Sequence, residues 1–184
     1  MKALKLLLLV MMLTVLGGCA QSSALIKAGG TSVRSDVFRE VTDGGPIPAG
    51  MADLRVAAVL KTHKPGVYAA KDVHGTPDYT LLLNIDGQAV VLRASIREET
   101  DGVTYRFSKQ LRLKAGSHAV VVALPADVIA VEKEIALVEG SANSLIMEPI
   151  YGAVTEKKRP SSNKSTGFRK GISRIIMNFN GRHL

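Results

Sequence analysis

The sequence has one cysteine, no tryptophan and only eight phenylalanine or tyrosine residues among its 184. One cysteine excludes a disulfide framework within the chain and a metal site made of several thiolates. Without tryptophan, a carbohydrate-binding platform would have to use tyrosine, and Tyr68 and Tyr79 leave that alternative open. The remaining composition, 46% hydrophobic and 22% charged, is typical of a globular protein rather than a disordered one.

Sequence motifs that mark common catalytic sites are also missing. The chain contains no Gly-x-Ser-x-Gly elbow, His-Glu-x-x-His pair, phosphate-binding glycine loop or dinucleotide fingerprint. Ser117 and His118 are neighbours on a predicted strand, where successive side chains point to opposite faces, so they are a poor nucleophile–base pair. We therefore predict that the protein is not an enzyme and that it needs no cofactor.

Histidines offer one route to a metal site. His63, His74 and His118 could meet at an ion, with Asp72 or Asp78 as a fourth ligand. However, His63 and His74 lie beside proline and glycine, where histidines are more often turn residues, and His118 is interpreted as a structural residue at a strand end. We predict no metal.

The first residues have the pattern of an export signal. Lys2 and Lys5 precede the apolar run from Leu6 to Leu16. Eleven residues give roughly 16 Å of helix, about half of a bilayer core, so a membrane-spanning helix is not expected. The run instead fits the apolar region of a signal peptide.

Leu16-Gly17-Gly18-Cys19 resembles the lipobox of bacterial lipoproteins, although that family often has alanine or serine where Gly17 stands. The resemblance implies cleavage after Gly18 and acylation of Cys19, and several acyl chains together anchor a protein firmly. Ala20 stands where aspartate often retains such proteins at the inner membrane. We therefore expect a lipid-anchored envelope protein, at the outer membrane and facing the periplasm, without nucleic acid as a partner.

Four segments are predicted. Residues 1–18 are the signal peptide, with a signal helix, and residues 19–50 are a lipidated flexible tether rich in serine, glycine and proline. Residues 51–152 are a β-sandwich, and residues 153–184 are a basic C-terminal segment. Within the tether, Ser35 to Val41 are compatible with one helical turn or a short strand.

The body has a hydrophobic period of two with β-branched residues and leucine, which predicts strands. Asp86-Gly87 predicts a tight hairpin turn, because both positions of such turns need positive φ. With no convincing helix, the pattern predicts an all-β, antiparallel β-sandwich, Ig-like or prealbumin-like, of about seven strands. The strand runs are Leu54–Leu60, Tyr79–Ile85, Gln88–Ile96, Val103–Leu113, His118–Leu124, Ile129–Leu137 and Leu145–Tyr151.

Leu113-Lys-Ala-Gly-Ser-His118, followed by Val120 and Val122, resembles the turn-to-strand end of PEGA-type, prealbumin-like sandwich domains. Val138-Glu-Gly140 followed by Leu145 to Tyr151 resembles a second copy. The resemblance covers some forty residues and lacks the Pro-Glu-Gly-Ala signature. It implies the sandwich fold and a role as an extracytoplasmic binding or spacer module.

Positive charge is concentrated at the C-terminus. Residues 153–184 carry a net charge of +7, whereas residues 20–152 carry −1. Phe168, Ile172, Ile175, Ile176 and Phe179 would share one face of a basic amphipathic helix, but Ile172 to Phe179 also fits a last strand. The candidate residues for binding an anionic lipid or envelope polymer are Lys157, Lys158, Arg159, Lys164, Arg169, Lys170 and Arg174.

Together these patterns predict a lipid-anchored envelope lipoprotein that acts as a non-catalytic binding or assembly module with an envelope protein partner. The alternative is a periplasmic domain that binds a small ligand or a glycan. The loop at residues 61–78 is the longest in the body and is the first candidate for a contact surface.

Overall fold

The computed structural model describes residues 24–26, 28, 32–42, 44–66, 72–152 and 167–184. These residues form eleven strands and two short 3-10 turns, Pro125–Asp127 and Gly167–Lys170, so the predicted all-β class is confirmed. The strands are β1 Phe38–Glu40, β2 Met51–Thr62, β3 Thr80–Ile85, β4 Gln88–Arg93, β5 Ser95–Glu98, β6 Val103–Lys114, β7 Gly116–Leu124, β8 Ile129–Leu137, β9 Ala142–Tyr151, β10 Ile172–Phe179 and β11 Arg182–His183.

Two sheets stack to form the predicted sandwich. The seven-stranded sheet has the order β1-β6-β2-β9-β10-β11, with β5 also paired to β6, and the four-stranded sheet has the order β4-β3-β7-β8. The paired strands are antiparallel except for β2 and β9, which run parallel from Asp53 beside Ala142 to Ala58 beside Met147. The antiparallel prediction therefore holds for the sandwich with this one exception.

The alternation along β2 shows why the sequence forms this sheet. Leu54, Val56 and Leu60 are at most 1% exposed, whereas Arg55 and Val59 point outward between them. Strand side chains alternate between faces, so the apolar set of each strand fills the space between the two sheets. The core therefore lies between the sheets.

One predicted strand is divided. The run from Gln88 to Ile96 separates at Ala94 into β4, which stays in the four-stranded sheet, and β5, which pairs with β6 in the other sheet. The hairpin turn before it is confirmed, since Asp86 and Gly87 have φ of 48° and 91°. The chain thus passes from the four-stranded sheet to the seven-stranded sheet near Ala94.

Parts of the segment predicted as a tether are in contact with the sandwich. Of the two alternatives for residues 35–41, the short strand is found, because β1 pairs with β6 through Phe38 and Leu113. Residues 24–26 and 28 are helical, and Ala24 and Ala28 pack with Val121 and Ala123 on the outer side of the four-stranded sheet. These alanines are at most 5% exposed.

The C-terminal part of the chain forms a strand and not the amphipathic helix. β10 pairs with β9, and Ile175 and Met177 point into the core with 5% and 1% exposure. Gly171 has φ of +76°, which separates the 3-10 turn from the strand and interrupts a helix at this point. Within the described ranges, no helix has the length and apolar character needed to span a bilayer.

Candidate functional site

His63, Asp72 and His74 form a cluster beside the end of β2. His63 follows β2, while Asp72 and His74 lie in the loop that leads to β3. His63 Nε2 is 2.8 Å from Asp72 Oδ2, and His74 Nδ1 is 2.5 Å from Asp72 Oδ1. The exposed fractions of the three side chains are 21%, 24% and 18%. Asp72 therefore bridges two imidazoles at a partly accessible position.

A second carboxylate supports this cluster from the sandwich. Asp127, in the 3-10 turn after β7, has one oxygen 3.3 Å from His74 Nε2. Its other oxygen accepts a hydrogen bond of 2.6 Å from the Tyr79 hydroxyl. Its side chain is only 5% exposed, and Tyr79 is fully buried. His74 is thus held between two carboxylates, one on the loop and one on the body.

The loop is fixed to the strands by hydrogen bonds and ring contacts. The amide of Gly75 donates to Thr62 Oγ1 at 3.1 Å, and the Tyr105 hydroxyl donates to the carbonyl oxygen of Thr76 at 2.9 Å. The rings of His74 and Tyr79 are 5.1 Å apart, and those of Tyr79 and Tyr105 are 4.8 Å apart. The cluster is therefore connected directly to the aromatic part of the core.

The electrostatics of the cluster follow from these contacts. Burial opposes ionisation of Asp72, but hydrogen bonds from the backbone and ring of His74 and from the ring of His63 outweigh it and lower the pKa of Asp72 to about 2. The hydrogen bond to Asp127 raises the pKa of His74 despite burial. Burial, together with the neighbouring Asp127, raises the pKa of Tyr79 well above its usual range. Asp72 is therefore an anion and Tyr79 a neutral donor near neutral pH.

The structure brings together only some of the residues considered as metal ligands. His63, Asp72 and His74 have candidate ligand atoms that all lie within 4.8 Å of one another. His118 is elsewhere, with Nδ1 2.6 Å from Asp86 Oδ2 and Nε2 2.8 Å from the carbonyl oxygen of Lys114. It ties β7 to the neighbouring turns, as a structural histidine at a strand end does.

Asp127, which supports the cluster, could not be found from the sequence patterns. It is 53 positions from His74 and lies in a proline-started turn between strands, so no local spacing connects the two. The spacing Asp72-x-His74 was the available signal, because the Asp72 carboxylate can accept the amide of His74, as it does at 3.0 Å. The same backbone contact places the ring of His74 beside the carboxylate of Asp72.

The remaining predicted sites lie partly outside the described residues. This applies to the lipobox residues Leu16, Gly17, Gly18 and Cys19, and to the basic residues Lys157, Lys158, Arg159 and Lys164. Arg169 and Lys170 belong to the 3-10 turn Gly167–Lys170, and Arg174 is exposed on β10. Among the described aromatics, Tyr79 is fully buried and cannot serve as a glycan-binding platform.

The outer side of the seven-stranded sheet has an apolar centre, which we call the open face. Val59 and Ile146 are 51% and 43% exposed, and the register places them on neighbouring strands. Arg55, Arg106 and Arg174 lie on the same side, together with the acidic Glu148 and with uncharged polar residues, which are Ser108, Ser144 and Asn178. The open face consists of Arg55, Ala57, Val59, Arg106, Ile146, Glu148, Ile150, Arg174 and Ile176.

A shallow cleft is found beside β5. It has a volume of about 510 Å³ and is lined by Lys64, Arg97, Glu98, Glu99 and Thr100. Small-molecule sites are mostly apolar with a few polar groups, whereas four of these five side chains are charged. The cleft therefore offers little surface for an apolar small ligand.

Replacing Gly75 with alanine is expected to displace the loop that carries the cluster. Gly75 has φ of +79°, and an added Cβ would lie 2.6 Å from the nitrogen of Pro65 and 2.8 Å from the carbonyl oxygen of His63. We expect a loss of about 1–3 kcal/mol in the free energy of unfolding from this strain. Urea denaturation measures it.

Gly66→Ala is the matched control, because Gly66 has a similar φ of +89° but no atom of the described residues lies within 4 Å of the added Cβ. Its cost should be limited to the backbone strain of about 1–2 kcal/mol. Equal losses for Gly75→Ala and Gly66→Ala would contradict the close packing of this loop.

Two features of the described chain thus have the geometry of functional sites. The cluster of His63, Asp72 and His74 offers nitrogen and oxygen ligand atoms beside a supporting carboxylate. The open face offers exposed apolar side chains with three arginines on the same side of the sheet. No family model, no curated protein and no solved structure matches this chain, so both features are interpreted from its own residues.

Proposed function

We propose that this protein is a lipid-anchored lipoprotein of the bacterial cell envelope, held at the outer membrane and facing the periplasm, where it acts as a non-catalytic binding or assembly module. One observation carries the proposal. The described residues nearest to the lipobox pack on one outer side of the sandwich, while on the opposite side, the open face, Val59 and Ile146 remain 51% and 43% exposed.

The distance between the proposed anchor and the body is short. Ala24 packs with Val121 and Ala123 and follows Cys19 by five positions. Five residues span at most about 18 Å when fully extended. Acyl chains on Cys19 would therefore hold the four-stranded sheet near the lipid head groups, and the open face would be turned toward the periplasm.

The open face suits a protein partner. Interfaces have an apolar centre in which arginine is enriched over lysine, and the open face combines Val59 and Ile146 with Arg55, Arg106 and Arg174. Opposite charges across an interface accelerate association and select partners. The partner that fits is an envelope protein with an apolar surface bordered by acidic residues.

The basic segment gives the same module a second contact in this proposal. Four lysines and arginines between residues 157 and 164 lie between β9 and the turn before β10. Each basic residue near an anionic membrane surface contributes about 1 kcal/mol of attraction. We propose that this segment binds anionic lipid or an anionic envelope polymer.

Replacing Cys19 with alanine in the native host tests the anchor. We expect the variant to carry no acyl chain, because the thiol that would receive it is missing. It should then either appear in the soluble fraction or keep its signal peptide uncleaved. Ser22→Ala is the control, since it changes the same segment without removing the thiol. A Cys19→Ala protein that stays acylated and membrane-bound would refute the proposal.

Replacing Val59 with glutamate tests the open face. Val91→Glu is a matched control, because Val59 and Val91 are both 51% exposed but Val91 lies on the four-stranded sheet. With Val59→Glu, the yield of the main crosslinked protein complex in the native envelope should fall about tenfold. This is the size of effect expected for a residue at the centre of an interface. Equal loss with both variants, at equal thermal stability, would contradict this assignment.

A further inference from the structure

We propose that His63, Asp72 and His74 form a binding site for a divalent transition-metal ion such as Zn²⁺. This inference is independent of the lipid anchor and of the open face. It rests on the positions of the ligand atoms, on the chemistry of the three side chains and on the support that His74 receives from Asp127.

The three ligand atoms are already close to the spacing of a metal site. Zn²⁺ binds nitrogen and carboxylate oxygen at about 2.0–2.2 Å, so tetrahedral ligands lie roughly 3.4 Å apart. Here His63 Nε2 is 2.8 Å from Asp72 Oδ2 and His74 Nδ1 is 2.5 Å from Asp72 Oδ1, and one candidate ligand atom from each of the three side chains lies within 4.8 Å of the other two. Small side-chain movements that change these separations, which are at most 4.8 Å, to roughly 3.4 Å would therefore admit the ion.

The chemistry of the ligands selects the class of ion. Two imidazoles and one carboxylate suit Zn²⁺ and neighbouring transition metals, whereas Ca²⁺ and Mg²⁺ prefer sites made of oxygen alone. Three protein ligands leave a coordination position for water or for a group from another molecule. The three side chains are 18–24% exposed, so an ion can reach them from solvent.

Asp127 supplies an independent observation that points to a ligand. Histidines that bind metals almost always donate their other ring N–H to a carboxylate, a carbonyl or water, which fixes the ring and its tautomer. His74 Nε2 lies 3.3 Å from Asp127 Oδ1, while its Nδ1 faces Asp72. The Tyr79 hydroxyl holds Asp127 in turn. Asp127 therefore orients the ring of His74 through the nitrogen that does not face Asp72, as a supporting carboxylate does in a metal site.

The same contacts could instead serve only to fasten the loop. In that case the imidazoles would gain nothing from an ion, and their removal would lower stability equally with or without metal. The two explanations predict different responses to Zn²⁺, so one set of measurements separates them.

The test uses the full chain, stripped with a chelator and dialysed, with ZnCl₂ and CoCl₂ as the probes. We expect one Zn²⁺ per chain, Co²⁺ visible absorption typical of a low coordination number, and a rise in the unfolding temperature with Zn²⁺. His63→Gln and His74→Gln should each weaken Zn²⁺ binding about 100-fold, and Asp127→Asn about 10–100-fold.

His118→Gln is the matched control, because the ring of His118 also contacts an aspartate, Asp86, but its other nitrogen contacts the carbonyl oxygen of Lys114 instead of a second ligand side chain. It should bind Zn²⁺ like the unchanged protein. If a variant is poorly folded, its circular dichroism in chelator identifies it, and Asp127→Asn then serves as the milder change. Absence of stoichiometric Zn²⁺ in the unchanged chain, or equal binding by His63→Gln, His74→Gln and His118→Gln, would overturn the proposal.

Discussion

Replacing Arg112 with methionine is expected to lower the free energy of unfolding by about 3–5 kcal/mol, because it leaves a buried carboxylate without its partner. Arg112 Nε and Nη2 donate to the two oxygens of Asp53 at 2.6 and 2.9 Å, and the side chains are 6% and 10% exposed. The same guanidinium donates to the carbonyl oxygens of Gly45 and Pro46. The substitution therefore also detaches the loop before β2.

The loss of stability in Arg112→Met should depend on pH. Hydrogen bonds from Arg112 lower the pKa of Asp53, against the effect of burial. A carboxyl group whose pKa is lower in the folded state stabilises the protein above its unfolded pKa of about 3.9, and this contribution is lost as the pH falls through the folded value. In Arg112→Met the buried Asp53 can be protonated, so the deficit relative to the unchanged protein should shrink steadily as the pH falls from 7 and be much smaller at pH 3.

Urea denaturation at pH 7 and pH 3 measures both effects. The double variant Asp53→Asn with Arg112→Met is the control, since it leaves no buried charge and should be more stable at pH 7 than Arg112→Met alone. A deficit in Arg112→Met that is unchanged at pH 3, or a double variant that is less stable at pH 7, would contradict this account of the pair.

Replacing Phe107 with alanine should also cost about 3–5 kcal/mol, because it empties a large volume in a close-packed core. Phe107 is 1% exposed, and its ring centre is 6.3 Å from that of Tyr105 and 6.5 Å from that of Tyr79. The cavity would border Tyr79, which holds Asp127. We therefore expect the loop with His74 to become more susceptible to proteolysis.

Urea denaturation and limited proteolysis measure these effects. Phe107→Leu is the matched control, since it keeps an apolar side chain in the same position and should cost less than Phe107→Ala. A loss below about 1 kcal/mol for Phe107→Ala would show that the aromatic group is not a main contributor to the core.

Local patterns in the sequence were sufficient for the strands and for the fold class. Alternation of period two predicted β2, β3 and β6 because each buries one face, and Asp86-Gly87 predicted its turn because aspartate and glycine accept positive φ. The tail was ambiguous for a physical reason. Isoleucines in the tail satisfy both the helical and the strand period, and pairing with β9 determines the result.

Contacts between distant residues were not predictable from those patterns. The parallel pairing of β2 with β9 joins positions some ninety residues apart, and Asp53 and Arg112 are separated by 59 positions. The candidate metal site depends on the same kind of contact. His63 and His74 were interpreted as turn residues, and only the fold brings Asp127 behind His74.

The packing of Ala24 and Ala28 against Val121 and Ala123 has a consequence for how an anchored molecule would meet its partners. If Cys19 carries the proposed acyl chains, the five positions from it to Ala24 would restrict rotation of the body about the attachment point. The surface opposite the bilayer would then stand off by at least the spacing of the two sheets, about 10 Å. A membrane-embedded partner that barely protrudes would be out of reach, whereas one that rises above the protein, or one free in the periplasm, would be accessible.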